Sequence, residues 1–115
     1  MHINDIWMNE YQHLAARTIN KDLPDNEKEY HALHGMVSEI GEIHGIYQKQ
    51  YQGHVAEADH LKKELGDLLW FIAEYCTANG WNMSDIAKGN IKKLMARYPE
   101  GFSSERSLNR KDGDI

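Results

Sequence analysis

The chain has 115 residues, 41% of them hydrophobic, enough for one small domain with a modest core. Its formal net charge of −5 argues against a protein that wraps nucleic acid, although free nucleotides stay admissible because metal ions can supply positive charge. A single cysteine, Cys76, excludes an internal disulfide framework, and the longest apolar run, Leu68 to Ala73, is too short to span a bilayer, so a cytoplasmic protein with no membrane partner is expected.

Asp5 and Glu10 break the basic-then-apolar pattern of a signal peptide. A first helix is expected from a cap at Asn4 to about Arg17, with Ile6, Trp7, Tyr11, Leu14 and Ala15 on one broad face. Trp7 and His13 suit the border of a ligand pocket, although such residues are more often simply core and rim. Residues 19–27, with Pro24, Asp25 and Asn26, read as a loop feeding the next helix.

The second helix is expected over about Glu27 to Tyr51, where Leu33, Met36 or Val37, Ile40, Ile43 or His44, and Tyr47 recur at 3–4 spacing. Gly35, Gly41 and Gly45 lie inside it, each costing about 0.5–1 kcal/mol relative to Ala. Such a cost points to tight helix packing or to a bulky ligand. The third helix, about Val55 to Asn79, ends before Gly80, a suitable left-handed stop. Leu61, Leu65, Leu68 and Ile72 form its core stripe, and Leu69, Trp70 and Phe71 widen the apolar surface around most of its circumference. In a chain this small the extra cover is expected from a second subunit, or from a flat ligand stacked on Trp70 or Phe71.

Four acids dominate these two helices. Glu39 and Glu42 form one i,i+3 pair and Glu64 and Asp67 another, each pair leaving one helical face with Cβ atoms about 5–6 Å apart. Gly53 is equidistant in sequence from Glu39 and Asp67, and from Glu42 and Glu64, so an antiparallel hairpin turning there brings all four to one height. Acids on helices are commonly solvated. Here, however, Glu39 and Glu42 have no Lys or Arg three or four residues away, Glu64 has only His60, and Asp67 has Lys63. A divalent-metal site and a solvated face both remain open on spacing alone; four carboxylates without a Cys or His in the same constellation would suit Mg²⁺ or Mn²⁺ rather than Zn²⁺. Glu74 also lacks a helical cation and receives no role.

The fourth helix is expected from Ser84 to Tyr98-Pro99, with Asn90, Lys93 and Arg97 on its polar side, a stripe fit for phosphate or for solvent. From Gly101 the chain reads as a polar tail carrying Arg106 and Arg110. No phosphate-binding glycine loop, zinc-protease helix or serine-hydrolase elbow is present, so an enzyme of this composition would depend on its metals.

The runs SEIGEIHGIYQKQ, LKKELGDLLWFIAEY and NIKKLMARYPEGFS resemble the MazG-like nucleotide pyrophosphohydrolases, whose signature is E-x-x-E on one helix and E-x-x-D on the next, here Glu39 to Glu42 and Glu64 to Asp67. The resemblance spans about residues 30–105 and implies an all-α, four-helix bundle with a central antiparallel hairpin, one domain over residues 1–115 with its core in 4–98. It implies Mg²⁺-dependent hydrolysis of a (deoxy)nucleoside triphosphate to monophosphate and pyrophosphate, in the service of nucleotide-pool cleaning. Glu39, Glu42, Glu64 and Asp67 become the metal ligands and catalytic acids, and Asn90, Lys93 and Arg97 the phosphate contacts. Trp7, His13 and Phe71 are the candidates for the base pocket. Homodimers or dimers of dimers are implied, with the site near the subunit interface. Many family members carry one more Glu before the first motif residue, where this chain has Ser38, leaving the number of metals and the general base open. Two other classes compete: a non-catalytic helical dimerisation module, and a carboxylate-bridged redox bundle, for which Glu57 and His60 offer a Glu-x-x-His pair that does not align with the other acids.

Overall fold

The computed structural model describes residues 7–115. They form five helices: α1 (Met8–Ala16), α2 (Asp25–Gln50), α3 (Ala58–Asn79), α4 (Met83–Arg97) and α5 (Ser104–Leu108), with no strand among the described residues. The expected cap Asn4 and stripe residue Ile6 lie outside the described residues. Trp7 is not helical as expected: it is extended, and its carbonyl accepts the first helical hydrogen bond, from the Tyr11 N–H at 2.9 Å.

Helix α2 starts two residues earlier than expected because Pro24, held extended, caps it through bonds from the Glu27 and Lys28 amides, both 3.0 Å. Asp25 and Glu27 then face the positive end of the helix dipole. The chain reverses at Gly53, whose φ of +93° is open to glycine and strained for other residues. Helix α3 begins three residues later than expected, after an extended segment, and runs back along α2. It stops at Gly80 (φ +71°), where the Trp81 amide bonds the Cys76 carbonyl at 2.9 Å. The tail holds the fifth helix, capped by the Ser103 hydroxyl accepting from the Arg106 amide at 3.3 Å.

The core lies where α1 crosses α3 and the α3–α4 turn, built from Ala15, Ala73, Cys76 and Met83 with Tyr11, Trp70 and Ile72 packed around them. Buried Gln12 ties these elements together. Its amide donates to the Trp81 carbonyl (2.7 Å) and the Thr77 hydroxyl (3.2 Å), and its oxygen accepts from the Met83 amide (2.8 Å). Trp70 donates to the Thr18 hydroxyl at 2.8 Å. Part of the wide apolar surface of α3 is therefore covered within the chain.

Of the three glycines inside α2, Gly35 has a packing reason. A methyl added there would overlap the Phe71 ring, whereas Gly41 and Gly45 have nothing within 4 Å of such an atom. Gly35→Ala is expected to destabilise the protein by about 1–3 kcal/mol through overpacking, less the propensity gain of up to about 1 kcal/mol. Gly41→Ala should be neutral or mildly stabilising. Thermal unfolding of the two variants side by side checks the contrast, and an undisturbed Gly35→Ala would mean that the ring moves aside freely.

Candidate metal centre

The hairpin delivers the register expected of it. Along the seam between α2 and α3, residues equidistant from Gly53 face each other: Gly35 against Phe71, and Glu39 and Glu42 against Glu64 and Asp67. Glu39, Glu64 and Asp67 each offer a carboxylate oxygen, and these oxygens lie within 4.8 Å of one another. Glu42 falls outside that trio and is exposed, yet shares a hydrogen bond with Glu64, as Glu39 does. The Glu64 side chain is only 12% exposed and has His60 Nε2 at 3.3 Å from its Oε1. Its other oxygen, Oε2, and Oε2 of Glu39 are buried and find no hydrogen-bond donor while the acids are all ionised.

Such crowding has an electrostatic consequence. The hydrogen bond to Glu64, partial burial, and the charges of Glu42, Glu64 and Asp67 push Glu39 up to about 7. Glu42 is raised for the same first reason, its hydrogen bond to Glu64, and Glu64, accepting from both, is held below the ordinary range. Like charges at this separation keep a proton between them when no cation is bound. The donor set passes the test for a hard divalent ion: several carboxylate oxygens converge, two buried ones lack partners, and no thiolate intrudes.

The seam continues past the acids to a pair that sequence reasoning missed. Glu74, 1% exposed, accepts a 2.7 Å hydrogen bond at Oε1 from His31 Nδ1, and its Oε2 is also unpartnered. His31 and Glu74 are almost equidistant from Gly53, so the symmetry that located the four acids locates this pair as well. Tyr11 of α1 also approaches the centre: burial and the Asp67 carboxylate push its phenol above its ordinary value.

The remaining candidate residues lie elsewhere in the chain. Phe71 is wedged on Gly35, edge-on to Trp70 and His31 with ring centroids 5.2 and 5.7 Å away. Trp7 is 74% exposed, and His13 is exposed on α1. Asn90 lines an apolar groove of about 390 Å³ with Met8, Leu69, Ile72 and Met83. Leu69 points about 160° away from Asp67 around the helix, so α4, which packs chiefly on α1, borders α3 across this groove on the side remote from the acids. Lys93 and Arg97 line a separate cationic pocket with Arg106, Arg110 and Lys111.

Residues 27–102 match the family described as the MazG nucleotide pyrophosphohydrolase domain. The chain belongs to this family. The MazG match covers both acidic motifs and the whole of α4. The Gene 37 protein of Mycobacterium phage L5 is 30% identical over 81 residues, covering 66% of this chain and 71% of that protein. No solved structure matches the chain. Among the described residues no helix is long and apolar enough to cross a membrane.

Proposed function

We propose that the chain hydrolyses (deoxy)nucleoside triphosphates to the monophosphate and pyrophosphate, as a cytoplasmic cleaner of the nucleotide pool. The observation that carries this reading is the convergence of Glu39, Glu64 and Asp67 with two buried, unpartnered carboxylate oxygens among them. Glu39, Glu42, Glu64 and Asp67 would hold Mg²⁺ or Mn²⁺. A bound divalent ion there supplies charge neutralisation at phosphate oxygens and acidifies an attacking water. Glu42, exposed and outside the trio, is our candidate to accept the proton of that water at its carboxylate. Asn90, Lys93 and Arg97 are the phosphate contacts in this reading, and exposed Trp7 with His13 the candidates to meet the base.

We further read the active species as a homodimer or a dimer of dimers. Two observations support this. The radius of gyration, 17.6 Å, exceeds the approximately 13 Å of a compact chain of this length. On the face of α2 turned from α3, Tyr30, Leu33, Val37, Ile40, Tyr47 and Tyr51 are 40–93% exposed at alternating steps of three and four, completed by His44. That is the spacing of a helix seam seeking a partner helix. A second copy would also bring an α4 toward the acids, which the chain's own α4 does not face.

The test is a turnover panel of the common NTPs and dNTPs with and without Mg²⁺, separating monophosphate plus pyrophosphate from diphosphate plus phosphate. Monophosphate and pyrophosphate formed only with metal is the expected result. Diphosphate and phosphate, metal-independent cleavage, or no product from any nucleotide would overturn the reading.

A further inference from the structure

The cationic pocket between α4 and the segment after α5 has a volume of about 240 Å³ and is lined by Lys93, Arg97, Arg106, Arg110 and Lys111. One carboxylate occupies it. Arg97 grips Asp114 in a two-pronged pair, Nη2 donating to Oδ1 at 2.6 Å and Nε to Oδ2 at 2.9 Å. Arg110 Nε approaches Oδ2 at 3.5 Å, and its Nη2 donates to the Asp114 carbonyl at 2.9 Å. Lys93 Nζ donates to the main-chain oxygen of Ile115, also at 2.9 Å. The Arg97 and Asp114 side chains are only 13% and 21% exposed, so this is an enclosed pair rather than a passing surface contact.

We propose that Asp114 is an internal competitor for phosphate: in the unliganded chain it holds Arg97 while the adjoining Ile115 main-chain oxygen holds Lys93, and both cations are yielded to the polyphosphate of the substrate. The inference rests on the reading of these two residues as phosphate contacts, and adds how their availability is controlled. Two features argue for displacement. The planar fork of Arg97 binds a phosphate in the same two-pronged manner as a carboxylate. A single carboxylate leaves the pocket in positive excess, whereas two or three linked phosphates would match its several cations. Competition lowers the apparent affinity by the fraction of time the pocket is closed.

The probe is inorganic tripolyphosphate, titrated calorimetrically into the metal-free full chain at fixed ionic strength. Asp114→Asn should tighten binding about three- to tenfold, the range expected for release of one partly enclosed ion pair. Asp112→Asn removes the same charge from a side chain that does not line the pocket and should change binding little. Unchanged or weaker binding in Asp114→Asn, or equal tightening in Asp112→Asn, would overturn the proposal; weaker binding would make Asp114 a strut that orients Arg97. In turnover, Asp114→Asn should lower KM more than it changes kcat. Tighter tripolyphosphate binding in a protein that cleaves no nucleotide would refute the proposed reaction and leave the competition standing. Unaltered binding in a fully active enzyme would do the reverse.

Discussion

Glu64→Gln and Asp67→Asn should each reduce turnover by on the order of 10²–10³ or more, the loss expected when a group that organises transition-state charge is removed. Both proteins should stay folded, and in metal-free buffer near neutral pH Asp67→Asn should melt at higher temperature than the parent. The reason lies in the crowding. Glu39, Glu64 and Asp67 converge within 4.8 Å, and two of their buried oxygens have no partner, so the acids oppose folding until a cation joins them. A lower melting temperature in metal-free buffer would instead make the acids structural.

The same crowding fixes the sign of the pH dependence. Glu39 has a pKa of about 7 in the fold against an ordinary 4.5. Between those values the folded chain binds more protons than the unfolded one, so its stability falls as pH rises. The contribution is complete below about 4.5 and lost above about 7. Metal-free protein should therefore melt progressively earlier from about pH 5 to pH 8, and Glu39→Gln should flatten the curve. Saturating Mn²⁺ should flatten or invert it, because the ion binds the deprotonated acids and its affinity rises with pH. A flat metal-free profile would show that the cluster holds no extra proton.

Periodicity and symmetry made most of this visible in the sequence. The hairpin, its turn at Gly53, the stop at Gly80 and the approach of Glu39 to Glu64 and Asp67 all follow from spacing, because a helix of fixed rise converts equal sequence distances into equal heights. The rest depended on orientation about the helix axis and on long-range contacts. Phe71 read as a stacking platform, yet its ring fills the space left by Gly35 on the neighbouring helix. Lys93 and Arg97 read as part of a stripe fit for phosphate or for solvent, yet Arg97 meets Asp114 and Lys93 the main-chain oxygen of Ile115, more than fifteen residues downstream, in a segment whose polar composition announced no structure. Glu74 lacks a helical cation just as Glu39 and Glu42 do, but no second acid stands three or four residues away to mark it. Its partner, His31, lies on another helix.

Val37→Glu distinguishes a solitary chain from an assembly. Val37 is 71% exposed within one chain, so a charge there should alter the stability of a monomer by no more than about 0.5 kcal/mol. In a dimer seamed along Leu33, Val37, Ile40 and Tyr47 the same charge is buried without a partner, a cost of about 3–5 kcal/mol. Dissociation should then strengthen by about two to four orders of magnitude, visible by sedimentation equilibrium as a fall to the mass of one chain. Turnover should fall with it if the phosphate contacts come from the second copy. Mixing the inactive Glu64→Gln and Arg97→Ala proteins isolates that last step. After subunit exchange, half of the dimers pair the two variants and each carries one site with intact acids and an intact Arg97, so about a quarter of the original sites should work. Loss of assembly in Val37→Glu without recovery on mixing would keep the dimer and return Arg97 to the site of its own chain. Recovery would establish that each site draws its acids from one copy and Arg97 from the other, which is how a chain whose α4 packs away from its own acids could still hold a triphosphate over them.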